Sequence, residues 1–239
     1  MKKTLFVMSS IVFASAAVGA TPSYYAYAGL GYSNADFNLN SIPNYFEPNP
    51  QDDATVMNHR QTDKTALGFK IGVGYRFNDY FAIEASYAYL GKAKANIEGI
   101  HETVAIGTET PMTHKDFAGL RASMTAQVMA VDALAIYPVN KHLEIFAKAG
   151  AGIGITKTKG NEWDGYYSAS GTLGDYESIS FSQSKVRFVP KLGLGIEWMV
   201  TEKTAIRFEY ERLFGLSDQS DYAVDTDYDC VSLGIKYSF

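Results

Sequence analysis

The sequence predicts an all-β fold, an eight-stranded antiparallel up-and-down transmembrane β-barrel, on three observations. Apolar and polar residues alternate with a period of two over segments of about ten residues, the length a tilted strand needs to cross an apolar band of ~25 Å. The connections between these segments are alternately very short and long. Beyond residue 20 no stretch approaches the ~20 consecutive apolar residues of a membrane helix, so a spanning chain must satisfy its backbone polar groups by closing a sheet on itself. A soluble β-sandwich alternates too, but its strands run nearer about 5–6 residues. A mean hydropathy of only -0.12 suits barrel strands, whose hydropathy signal is weak.

The segments follow in order. Residues 24–32 set Tyr24, Ala26, Ala28, Leu30 and Tyr32 against Tyr25, Tyr27, Gly29 and Gly31. Residues 67–77 set Leu67, Phe69, Ile71, Val73, Tyr75 and Phe77 against Gly68, Lys70, Gly72, Gly74 and Arg76. The polar pair Asn78-Asp79 then makes a tight hairpin turn, and Phe81, Ile83, Ala85, Tyr87 and Tyr89 alternate with Ala82, Glu84, Ser86 and Ala88. The fourth segment is clear only from Val131 to Tyr137, with Asp132 on its polar face; residues 121–130 alternate poorly, which predicts a bulge or a late strand start. Pro138 fits the end of that strand, where a missing donor does least harm.

Residues 143–155 set Leu143, Ile145, Ala147, Ala149, Ala151, Ile153 and Ile155 against Glu144, Lys148 and glycines. Residues 191–200 set Leu192, Leu194, Ile196, Trp198 and Val200 against Lys191, Gly193, Gly195, Glu197 and Met199. After a short turn at Thr201-Glu202-Lys203 come Ile206, Phe208 and Tyr210 against Arg207, Glu209 and Glu211. The last segment alternates Val231, Leu233, Ile235, Tyr237 and Phe239 with Ser232, Gly234, Lys236 and Ser238. Long polar connections are expected over residues 33–64, 91–118, 157–183 and 215–227.

Residues 1–20 read as a secretory signal peptide, with Lys2 and Lys3, an apolar stretch and small residues before the expected cleavage, leaving residues 21–239 as the barrel domain. One cysteine, Cys230, makes no internal disulfide, and a net charge of -5 gives no reason to expect a nucleic-acid partner.

The inward positions collect Lys70, Arg76, Lys148, Lys191, Arg207 and Lys236 beside Glu84, Asp132, Glu144, Glu197, Glu209 and Glu211. An unpaired buried charge is costly, so equal numbers of cations and anions predict a paired interior network. Since eight strands enclose a space that side chains just fill, the expectation is a packed polar plug and not an open pore. Outward aromatics such as Tyr75, Phe77, Trp198, Tyr32 and Tyr89 are expected to anchor at the headgroup level.

The opening Tyr27-Ala28-Gly29-Leu30-Gly31-Tyr32, the run Gly72 to Phe77, Gly150-Ala151-Gly152-Ile153-Gly154, Lys191 to Gly195 and the closing Gly234 to Phe239 together resemble the single-domain surface-antigen barrels related to the OmpA transmembrane domain and the opacity proteins. The resemblance implies the bacterial outer membrane as the location, outer-membrane lipid and lipopolysaccharide as surroundings, and Tyr237 and Phe239 as the signal by which barrel-assembly machinery takes the C-terminal strand. No cell-wall tether is carried over, since that belongs to a soluble domain of the full-length OmpA type. The resemblance also implies an alternative function, a narrow gated ion or small-solute channel in which an interior ion pair swaps partners.

Catalysis ranks third. Hydrolytic chemistry needs a base beside a nucleophile, yet His59, His101 and His114 fall in expected outer loops and His142 at a turn. No cofactor is expected. Trp163, Tyr166 and Tyr167, flanked by Glu162 and Asp164, form a candidate recognition patch on the third loop. Pro43, Pro48 and Pro50 mark an irregular first loop, and Asp218, Asp221, Asp225, Asp227 and Asp229 an acidic fourth loop without an EF-hand pattern. The expected function is a non-catalytic surface protein supporting envelope integrity and contacting a host surface molecule through its loops.

Overall fold

The computed structural model describes residues 23–36, 54–105, 112–168, 170–217 and 226–239. The signal segment, the first-loop prolines and Asp218, Asp221 and Asp225 lie outside them. The strands are β1 (Ser23–Asp36), β2 (Ala54–Asp63), β3 (Thr65–Asn78), β4 (Phe81–Ala105), β5 (Met112–Asn140), β6 (Leu143–Tyr167), β7 (Leu173–Met199), β8 (Thr204–Ser217) and β9 (Thr226–Ser238). They pair in the order β2-β4-β3-β1-β9-β8-β7-β6-β5, and β4 pairs with β5 to close the ring. β2 is not a ninth stave. It pairs with the far half of β4, Lys94 to Thr103, while β3 pairs with the near half, so β2 prolongs the β3 stave across Lys64. Eight staves therefore surround the lumen.

Side-chain burial is inverted relative to a water-soluble globule. Leu30 is 65% exposed, Leu194 62% and Leu233 59%, whereas Glu84 is 1%, Lys148 3% and Arg207 3% exposed. Only a hydrocarbon surrounding makes that arrangement stable, because each outward apolar group is then solvated by lipid and each inward charge by its partners. Aromatic rings gather at the end with the short turns, which is the periplasmic end of such barrels. Tyr24 and Tyr75 lie 4.9 Å apart, Tyr75 and Phe77 4.8 Å, and Tyr237 and Phe239 5.4 Å between centroids. At the other end Phe69 packs against Tyr87 and Tyr89.

The expected long loops are in large part strands. β4 has 25 residues, roughly 80 Å of chain at about 3.3 Å each, and β5, β6 and β7 are of similar length. Their excess stays paired beyond the membrane, from β2 through β4, β5 and β6 to β7, as an external sheet rising from one side of the barrel. Periodicity missed it for a physical reason. Ser182, Gln183, Ser184 and Lys185 of β7 are polar on both faces, and the alternation of Ile179 and Phe181 with Ser178, Ser180 and Ser182 before them is too brief to mark a long strand.

The expectation for residues 121–130 also needs correction. β5 runs through them without a bulge, from Met112 to a register shift at Pro138. The apolar side of the strand inverts there: Met124, Ala126, Val128 and Ala130 face inward to an apolar cluster opposite Arg121, Ser123, Thr125 and Gln127, whereas from Met129 and Val131 onward the outward face is the apolar one and Asp132 faces inward. The bulge sits on the partner strand. Leu90 and Gly91 of β4 together oppose Ala126, between the pairs Tyr89 with Gln127 and Lys92 with Thr125. Gly91 has φ of 83°, the left-handed region that suits glycine in such bulges. Ser33 caps the bulge by donating its hydroxyl to the Leu90 carbonyl.

A side chain at Gly91 would meet the Leu67 carbonyl oxygen at 2.5 Å and the Ala66 Cβ at 2.6 Å. Gly171 shares a positive φ but has open space around it. Gly91→Ala is therefore expected to destabilise the barrel by about 2–3 kcal/mol and Gly171→Ala by about 1 kcal/mol, measured by urea unfolding in phospholipid vesicles.

Candidate functional site

The inward faces of the staves bring all twelve expected charged residues into ion pairs. Arg207 on β8 is the hub. Its Nη1 and Nη2 donate to the two oxygens of Glu84 on β4 at 2.5 and 3.0 Å, and its Nε donates to Glu209 at 2.7 Å. Nη1 also stands 3.2 Å from Glu197, which in turn holds Lys236. A second group lies toward the outer end: Lys148 pairs with Glu209 at 2.9 Å and with Glu211 at 2.6 Å, and Lys70 is shared by the same two carboxylates. Lys191 joins Glu211 at 2.7 Å to Asp132 at 2.9 Å. At the periplasmic mouth Arg76 donates from Nη1 and Nη2 to the two oxygens of Glu144 at 2.9 and 3.0 Å.

Sequence reasoning listed these charges but missed the rings between them. The Arg207 guanidinium lies 4.4 Å from the Phe146 centroid and 4.5 Å from that of Tyr27, where a weakly hydrated planar cation gains from two π-faces. Tyr25 donates its hydroxyl to Glu84 at 2.8 Å and carries Lys236 over its ring. Parity had already placed Tyr25 and Tyr27 inward; their spacing opposite Gly74 and Gly72 is the signal, because small residues there leave room for inward rings.

Above the charges an apolar cluster closes the outer end of the lumen. Leu90, Val128, Val189, Leu213, Leu216 and Tyr228 are buried together there, so the polar plug expected from the sequence is half of the filling. On the outside of the barrel at the same end, Arg212 of β8 donates to Asp227 at 3.1 Å and reaches Asp229 at 3.4 Å, while the Tyr210 hydroxyl donates to Asp229 at 2.5 Å. The hydrogen bond to Asp227 and the neighbouring Asp229 charge raise the Arg212 pKa above its ordinary value.

The candidate recognition residues divide between the two faces of the external sheet. Trp163 and Tyr167 share the outward face by parity and Tyr166 the other, where its ring lies against Gly174. Trp163 covers Gly119 and has the Arg121 guanidinium 5.5 Å from its ring. Tyr167 packs on Phe117 at 5.4 Å, and Phe117 on Tyr176 at 6.2 Å. Phe117 and Tyr176 were missed, because only hairpin register brings them beside Tyr167. His59 and His101 lie on β2 and β4 rather than in loops, and His101 Nδ1 stands 3.5 Å from Asp116.

A family model for the OmpA-like transmembrane domain matches residues 20–239. Outer membrane protein A of Klebsiella pneumoniae is 25% identical over 182 residues, covering 76% of this chain and 44% of that protein. Outer membrane protein A of Shigella flexneri is 23% identical and covers all of this chain and 56% of that protein. The chain thus spans about half the length of these relatives. Among solved structures, Ail of Yersinia pestis aligns over 92% of this chain and all of its own at 14% identity and a TM-score of 0.46, and Neisserial surface protein A over the same shares at 13% and 0.46.

Removing Arg207 leaves Glu84 buried without its two-pronged partner, so Arg207→Ala is expected to cost about 3–5 kcal/mol. Arg207→Lys, which lacks the planar fork, recovers only part of that. Arg76→Ala, at the half-open mouth, costs less than Arg207→Ala. Urea midpoints of the vesicle-embedded barrel and its heat-modifiable gel mobility check the order.

Proposed function

The chain belongs to the family of OmpA-like transmembrane domains, and from that premise we propose that it is a non-catalytic scaffold of the bacterial outer membrane. It supports envelope integrity and carries an external sheet that contacts molecules outside the cell, a host surface molecule among them. One observation carries the reading: the lumen is filled twice over, by ion pairs across its lower half and by the apolar cluster of Leu90, Val128, Val189 and Leu216 above them. An ion crossing it would have to separate buried pairs and then pass a cluster that contains no charged side chain, and both steps are costly. The scaffold is therefore favoured over the gated channel.

The external sheet supports the contact reading. It raises a cluster of Phe117, Trp163, Tyr167 and Tyr176 far from the lipid, and aromatic groups on a rigid support are frequent recognition anchors. Two further parts belong to the same proposal. Residues 1–20 are removed as an export signal, and assembly machinery reads Tyr237 and Phe239, whose rings point outward at the last turn of the barrel.

Hairpin trimming tests it. Replacing residues 96–121 and 161–180 each by a two-residue turn cuts β4, β5, β6 and β7 at one rung, that of Asn96, Arg121, Asn161 and Ser180, and leaves the membrane staves and the Gly91 bulge in place. The trimmed protein is expected to keep heat-modifiable mobility and cellular resistance to detergent, and to lose attachment to host cells. In planar bilayers both forms are expected to give no steady conductance. Sustained openings of the intact barrel would overturn the scaffold reading in favour of the channel.

A further inference from the structure

The outward face of the barrel changes character abruptly between two rungs. The last rung with apolar residues on three of four strands is Tyr89, Gln127, Ile155 and Val186 across β4, β5, β6 and β7. The next is Lys92, Thr125, Lys157 and Ser184, and the one after it Lys94, Ser123, Lys159 and Ser182. Strands lie about 4.8 Å apart and residues two apart on a strand about 7 Å. The backbones of the four lysines thus mark a rectangle of about 10 by 7 Å, lined between its long rows by the hydroxyls of Thr125 and Ser123.

All four lysines are exposed, and none forms an ion pair among the described residues. Two carboxylates lie near on the same face. Asp63 of β2 stands across from Lys94 without pairing to it, and Glu98 turns to Arg121 at 4.0 Å. The contrast with the far side of the barrel is informative, since there Arg212 is paired by Asp227 and Asp229. On this side no carboxylate among the described residues pairs with the four lysines. Their positive charge stands one rung beyond the hydrocarbon-facing residues, at the height where a membrane keeps its headgroups.

We propose that Lys92, Lys94, Lys157 and Lys159 bind the phosphate groups of lipid headgroups in the outer leaflet, fixing the phosphorylated glycolipid beside the external sheet. The ammonium groups supply charge-assisted hydrogen bonds to phosphate, and their location beside the bilayer adds the attraction of an anionic surface. Arg121 and Trp163, one and two rungs higher, continue the same face toward the sugars of such a lipid. The proposal rests on the reading that the external sheet lies outside the cell.

The test titrates bisphosphorylated lipid A, and the same lipid with both phosphates removed, into the purified full barrel in detergent micelles. Replacing the four lysines by glutamine is expected to weaken binding of the phosphorylated lipid by up to about a thousandfold and to leave the dephosphorylated lipid unchanged. Lys→Arg at all four positions retains binding, and the exposed turn lysines changed together, Lys141→Gln with Lys203→Gln, behave as the parent. Equal affinity of the glutamine variant and the parent would overturn the proposal, as would full competition by inorganic phosphate at the lipid's concentration, which marks a free-anion site. Orientation is checked separately by labelling Lys159→Cys, in a Cys230→Ser background, on intact cells with an impermeant maleimide. No labelling sinks the outward reading itself; labelling with unchanged lipid binding sinks the lysine site alone.

Discussion

The guanidinium of Arg207, clasped by Glu84, Glu197 and Glu209 between the rings of Tyr27 and Phe146, is the interaction on which the barrel wall depends. A closed ring of strands in lipid offers its outer face to hydrocarbon and has no second sheet to pack against. Its inner face must then be filled by its own side chains. Carboxylates and cations suit that task only when matched, because each alone would keep its full desolvation cost. Arg207 draws on staves β4, β7 and β8 at once, and so braces the ring across its diameter as well as around it.

The interior is zoned along its axis. Arg76 and Glu144 close the periplasmic mouth, Tyr25, Phe146, Leu134 and Ile136 form an apolar layer, and the charge network follows before the outer apolar cluster. Zoning matters more for permeation than filling alone. A wholly polar lumen can pass an ion by exchanging partners, as each carboxylate released from one cation finds another. The stretch of Leu90, Val128, Val189 and Leu216 supplies no partner for that exchange. The same stretch carries the barrel's packing into the root of the external sheet, where Ala93 and Ile97 are buried.

How much of this is legible in the sequence depends on what each face touches. Staves with lipid outside and charges inside, such as residues 191–200, declare themselves by period-two alternation, and the twelve interior charges follow from parity. Where both faces are apolar, as at Val128 to Val131, alternation vanishes although the strand continues. Where both faces meet water, as at Ser182 to Lys185, it vanishes again, and strands read as loops. Contacts between hairpins, such as Phe117 on Tyr176, depend on register across two strand pairs and leave no local signal.

The bulge at Gly91 ties these parts together. Side chains alternate strictly along a strand, so a one-residue insertion moves every later residue to the opposite face. Before the bulge β4 points Ala82, Glu84 and Ser86 inward; after it Ala93 and Ile97 point inward, and Lys92 and Lys94 face out. Without the extra residue the lysines would enter the lumen against the apolar cluster, and Ile97 would face water. β5 crosses the same level without a shift, so Lys92 stands beside Thr125 with the outward register restored. The left-handed backbone at Gly91 thus makes one strand serve two environments: it carries a lipid-facing wall below and a water-bathed sheet above, with the change falling at the membrane's outer edge.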